Sequence, residues 1–145
     1  MSSEENKELV RRFAQVWSRG GQPIVDELAA PDLVVFYPSL RQPLHGPDAF
    51  KQFLDAFYAA FPDAQCTIQE LIAEGDRVAT RWTLRGTHQG ELLGIPATGR
   101  AVAWTGMTII HIRDGKIMEE RGESDALGLF QQLGIISTLE RAESA

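Results

Sequence analysis

The chain has 145 residues, 43% of them hydrophobic, which is the size and balance of one domain with its own core. A net charge of −6 argues against nucleic acid as a partner, because phosphate binding draws on clustered Lys and Arg. The single cysteine, Cys66, excludes an internal disulfide or a thiolate metal cluster, and its apolar surroundings in the sequence suit a small buried side chain.

Ser2 and Glu5 form a capping-box pattern, and Leu9, Phe13, Val16 and Trp17 follow at helical spacing until Gly20 and Gly21. A second, short helix is predicted from Pro23 through Leu28, stopping at Pro31, and Leu33 to Tyr37 reads as a strand. Pro47 opens a third helix whose Phe50, Phe53, Leu54, Phe57 and Phe61 read as core, and Pro62 closes it.

Beyond Pro62 the period changes to two. A hairpin turning at Gly75 and Asp76 pairs Trp82 with Gln69, Thr80 with Leu71, Val78 with Ala73 and, on the other face, Arg81 with Glu70. A second hairpin turns at Asp114 and Gly115, its long strand running from about Ala101 to Arg113. Strict alternation there places Trp104, Gly106, Thr108 and Ile110 on one face with Glu119, Arg121 and Glu123. It turns Met107, Ile109 and His111 the other way with Met118 and Glu120. Ser124 or Asp125 caps a last helix holding Leu127, Leu129, Phe130 and Leu133, with Gly134 at its end.

The predicted fold is α+β: a cone-shaped, curved, mixed but mainly antiparallel sheet packed on three N-terminal helices, with a short C-terminal helix and a small-molecule pocket at the open end. No linker or repeat divides the chain, so residues 1–145 read as one domain with a tail from about 136. Both faces of the long strand are apolar enough to need cover, which predicts a homodimer through the outer sheet face. The acidic, polar start and the lack of any long apolar run give the expectation of a cytoplasmic protein with no membrane partner.

Three pieces, GTHQGELLGIPATGR at 86–100, RDGKI at 113–117 and DALGLFQQLG at 125–134, resemble SnoaL-like polyketide or ester cyclases of the nuclear transport factor 2-like (ketosteroid isomerase-like) superfamily. The resemblance implies a cystatin-like α+β cone, usually dimeric, with a deep apolar pocket and neither a metal nor an organic cofactor. It implies ring closure by an intramolecular aldol reaction on an aromatic polyketide ester, with an aspartate as acid/base beside a histidine. Counted from the shared turn, that aspartate falls on Gly122 and that histidine on Thr108, while a substrate-binding asparagine falls near Tyr37.

Enolate-forming chemistry needs a base whose pKa burial lifts and a donor for the developing oxyanion. The carboxylates Asp125 and Glu123 are candidate bases, and His88 is a candidate acid/base at the start of a loop. Arg121, read as the partner of Thr108, is a candidate for holding a substrate carboxylate or enolate; Tyr37, Trp82, Trp104 and Thr108 complete the candidate binding set. Widely spaced histidines give no metal site, and no phosphate loop or dinucleotide fingerprint occurs.

The leading reading is a cofactor-free enzyme of lyase or isomerase type, performing aldol cyclisation, isomerisation or dehydration on a small hydrophobic, polyketide-like or aromatic carbonyl compound. The alternative is a non-catalytic ligand-binding or accessory protein of the same fold, motivated by Gly122 and Thr108 at the cyclase positions. A protein-interaction module using the sheet face is a third reading, since fold does not fix function.

Overall fold

Ser2 caps the first helix reciprocally: its hydroxyl accepts from the Glu5 N–H at 3.1 Å, and the Glu5 carboxylate accepts from the Ser2 N–H at 3.2 Å. In the computed structural model, which describes residues 1–136, this helix is α1 (Ser3–Ala14), continued by a 3-10 turn over Gln15–Trp17. Then come α2 (Pro23–Leu28), β1 (Ala29–Phe36), the short β2 (Leu44–His45) and α3 (Pro47–Ala60). The second half is β3 (Gln65–Glu74), β4 (Arg77–Thr87), β5 (Ala101–Arg113), β6 (Lys116–Ser124) and α4 (Ala126–Gln132). The expected tail lies, from residue 137, outside the described residues.

The six strands form one curved sheet in the order β2-β1-β6-β5-β4-β3, and only the β1–β6 pair is parallel. The mixed α+β architecture is therefore as the sequence predicts. The start of β1 differs: Pro31 does not stop the chain before a strand but lies inside it. It falls in the irregular stretch between Ala29 and Val34 where the β1–β6 register shifts, so its missing N–H interrupts no ladder pair.

Helices α1 to α3 pack on the sheet through two groups of buried side chains. One joins Val10 and Phe13 of α1 and Phe50 and Leu54 of α3 to Leu33, Ile110 and Ile117 of the sheet. The other joins Phe61 to Leu84, Val102 and Trp104 of the sheet and to Leu129 and Leu133 at the C-terminal helix. Burying each of these large side chains stabilises the fold by about 1.5–3 kcal/mol. Trp17 and Tyr58 pack against both groups.

Two β-bulges set which side chains face the helices. In the β3–β4 pair, Ile68 opposes Trp82 and Glu70 opposes Arg81, so Gln69 is the extra residue. Trp82 thus pairs with Ile68 rather than with the expected Gln69, whereas the Glu70–Arg81, Leu71–Thr80 and Ala73–Val78 pairs form as predicted. In the β5–β6 pair, Ile112 opposes Ile117 and His111 opposes Glu119, so Met118 is extra. That bulge shifts everything beyond it by one residue. Thr108 meets Gly122 instead of Arg121, Arg121 meets Ile109 on the outer face, and Glu120 turns inward, the reverse of strict alternation.

Candidate active site

Between the two packed groups the helices and the sheet do not meet, and a cavity of about 280 Å³ remains. Trp17, Phe53 and Phe57 form its helical wall together with Phe61 at the C-cap of α3, whereas Phe50 of the same helix is fully buried away from it. Trp82, Trp104, Thr108 and Gly122 form the sheet wall, with Glu120 deeper on the same face of β6. Pro38, Ser39, Leu93, Glu123 and Ser124 form the rim. Among the described residues no Lys, Arg or His lines the cavity.

Two glycines shape the sheet wall. A Cβ on Gly106 would fall 2.2 Å from Cζ2 of Trp82, so only glycine lets the indole lie across β5 opposite it. There the Trp82 indole N–H donates to the Thr108 hydroxyl oxygen at 2.9 Å. A hydroxyl that accepts this bond keeps its own proton for another acceptor. A Cβ on Gly122 would fall 2.9 Å from Cε1 of Tyr37, so the phenol ring occupies the space that a side chain at position 122 would need.

From that place the Tyr37 hydroxyl donates to the Glu120 carboxylate. Glu120 is only 4% exposed, and burial pushes its carboxyl up to about 7 against the opposing effect of the Tyr37 hydrogen bond. Burial first, and the Glu120 charge and hydrogen bond next, hold the Tyr37 hydroxyl well above its usual range, so it stays a donor. Cys66 lines the same cavity, and burial followed by the Glu120 charge raises its thiol to about 11.

The other sequence candidates are spread around this centre. Glu123 stands exposed at the rim, opposite Met107. Asp125 caps α4, its carboxylate accepting from the Gly128 N–H at 2.9 Å, and does not line the cavity. His88 is fully buried against Phe61, with ring centroids 5.7 Å apart. Its Nδ1 accepts from the Thr98 N–H at 3.2 Å, and its backbone bonds Gly99 and Arg100, so it ties both ends of the 88–100 loop together. Arg121 points out of the cavity. Its guanidinium lies 3.9 Å from the centre of the Phe36 ring and donates to Glu119 at 2.7 Å.

Sequence reasoning missed Glu120 because the Met118 bulge reverses its face. A signal was present: alternation pairs Thr108 with Arg121, while counting from the shared turn puts Thr108 and Gly122 in one site, and only an extra residue in the strand reconciles the two.

The family model for SnoaL-like polyketide cyclases matches residues 7–133. The chain belongs to the SnoaL-like polyketide cyclase family. Within it, the chain is similar to aklanonic acid methyl ester cyclase DauD of Streptomyces sp. (strain C5), at 34% identity over 134 residues, 88% of this chain and 80% of that protein. It is similar also to the nogalonic acid methyl ester cyclase of Streptomyces nogalater, at 34% identity over 125 residues, 84% of this chain and 92% of that one. Among solved structures, TsrD from Streptomyces laurentii superposes with a TM-score of 0.83 at 26% identity, covering 94% of this chain and 99% of that chain. The positions that the family resemblance marks, Thr108, Gly122 and Tyr37, converge on one wall of the cavity, and the deepest carboxylate there is Glu120.

Proposed function

We propose that this SnoaL-like protein is a cofactor-free acid/base enzyme acting on a small, hydrophobic, polyketide-like or aromatic carbonyl compound. Glu120 is its general base and Thr108 its oxyanion donor. The observation that carries this is a buried carboxylate, hydrogen-bonded by Tyr37 and pushed up by burial, on the wall of a largely apolar cavity rich in aromatic rings. Ionised Glu120 takes a proton from the carbon beside a substrate carbonyl, and the Thr108 hydroxyl, held by the Trp82 indole, donates to the enolate oxygen as charge develops. In a ring closure the enolate carbon then attacks a second carbonyl, and the alkoxide takes the proton back from Glu120. Trp82, Trp104 and Phe57 offer flat faces to an aromatic substrate. A cavity that, among the described residues, has carboxylates and no cation favours a neutral ligand such as an ester or ketone over a free acid.

Aklanonic acid methyl ester and nogalonic acid methyl ester, the compounds in the relatives' names, are the first substrates to assay. Glu120→Gln keeps the shape and removes the base, and its turnover should fall by about 100-fold or more. Wild-type kcat/KM should fall as pH drops below about 7, because the base must be ionised. Glu123→Gln and Asp125→Asn test the remaining carboxylates, and His88→Gln the loop histidine. Undiminished turnover in Glu120→Gln, with loss in one of these, would move the base there.

The second reading, a ligand-binding or accessory protein, is favoured by one observation: position 122 bears no acid and Tyr37 fills its space. It predicts saturable binding of the same esters without consumption.

A further inference from the structure

We infer that Gly122 and Tyr37 act as one positioning device for Glu120: the absence of a side chain at 122 lets the phenol ring lie against β6, where its hydroxyl orients the buried carboxylate. The inference rests on the proposed role of Glu120, but its test reads the ionisation of Glu120 directly, so the two can fail separately.

Gly122 and Glu120 are two residues apart on β6 and face the cavity together, about 7 Å apart along the strand. Tyr37 follows directly after β1, which runs parallel to β6 with Phe36 opposite Arg121. Its ring therefore reaches across the β1–β6 boundary to lie over the glycine, with Cε1 and Cδ1 2.9 and 3.0 Å from where a Cβ would be. At those separations even one methyl group must push the ring away, and the hydroxyl that bonds Glu120 moves with it. On its other sides the Tyr37 ring packs against Trp17 and Phe53, with centroids 6.1 and 5.4 Å away, and borders the cavity into which a methyl at 122 would displace it.

The groups around Glu120 make its charge state a clean reporter of this contact. Among the described residues, the ionisable side chains that share the cavity with it are Tyr37 after β1, Cys66 on β3 and Glu123 at the rim of β6. The parts of α1 and α3 that line the cavity contribute Val10, Ala14, Phe53 and Phe57 and no charge. The Tyr37 hydrogen bond is thus the polar contact that favours ionised Glu120, and its loss favours the protonated acid.

The experiment is a titration of the Glu120 carboxyl carbon by NMR in the wild type, Tyr37→Phe, Gly122→Ala and the double variant, each first shown to be folded by its melting curve. Tyr37→Phe should raise the midpoint by about one pH unit, the loss of one hydrogen bond to a charged group. Gly122→Ala should raise it comparably in the presence of Tyr37 and leave it unmoved in the Tyr37→Phe background, because no hydroxyl is left to displace. An unchanged midpoint in folded Gly122→Ala would overturn the inference, as would equal shifts in both backgrounds. If Gly122→Ala does not fold, Tyr37→Phe alone decides, since an unchanged midpoint there removes the proposed contact. If the midpoints move as stated while the pH profile of kcat/KM does not move with them, the device stands and the assignment of Glu120 as base falls.

Discussion

At the scale of single residues, the chemistry of the site is an exchange between burial and one hydrogen bond. Desolvation raises the Glu120 carboxyl from an ordinary 4.5 to about 7, and Tyr37 limits the rise. Because the folded value lies above the unfolded one, Glu120 favours the folded state fully below about pH 4.5, and this contribution is lost as pH climbs through about 7. Wild type should therefore lose about 3 kcal/mol from this group between pH 4.5 and 8, whereas Glu120→Gln should not. Melting curves of the two proteins at both pH values check this: the variant should melt higher than wild type at pH 8, and the gap should close at acid pH. Equal pH dependence in the two would mean that the carboxylate is not desolvated.

At the scale of elements, the bulge at Met118 decides which residues reach the site. Ile117 and Glu120 both face inward although they are three residues apart, and Met118 is the residue that absorbs the mismatch. Deleting Met118 should therefore leave both flanking pairings intact, with Glu120 and Gly122 still facing the cavity. We expect a folded protein with its melting temperature lowered by a few degrees and its Glu120 midpoint near 7. A midpoint near 4.5 would show that β6 had slipped and turned the carboxylate to solvent. The same bulge marks the limit of what the sequence makes legible. Capping at Ser2, the proline-opened helices, both hairpin turns and the Asp125 cap are local signals, and the structure realises each of them. Thr108, Trp82, Trp104 and Tyr37 were likewise readable as cavity residues. Glu120 and Arg121 were read on the wrong faces because a bulge conserves composition and local pattern while reversing everything beyond it, and nothing within the strand itself announces the extra residue.

At the scale of the whole molecule, the sheet has a second face that, among the described residues, the helices do not cover. Phe36, Arg121, Ile109, Ala79 and Ile72 lie directly opposite one another on five adjacent strands, a row about 19 Å long. Ile72 and Ile109 are 65% and 49% exposed, and Met107 beside them is 58% exposed. The Glu70–Arg81 pair lies beside the row and Arg121 within it pairs with Glu119, so the face carries both signs of charge and is compatible with a self-complementary contact. The proposal is a homodimer through this face. Sedimentation of the wild type should give twice the monomer mass, and Ile109→Glu should sediment as a folded monomer. A wild type that stays monomeric at tens of micromolar would remove it. Among the described residues no helix is long and apolar enough to cross a membrane.

The chain contains three tryptophans, Trp17, Trp82 and Trp104, and all of them line the same cavity. The protein's entire indole emission therefore originates at the wall of this cavity. Any aromatic compound that enters stands within a few ångströms of every emitter, and no distant tryptophan contributes a constant background. Occupancy can thus be followed by quenching of native fluorescence without a label.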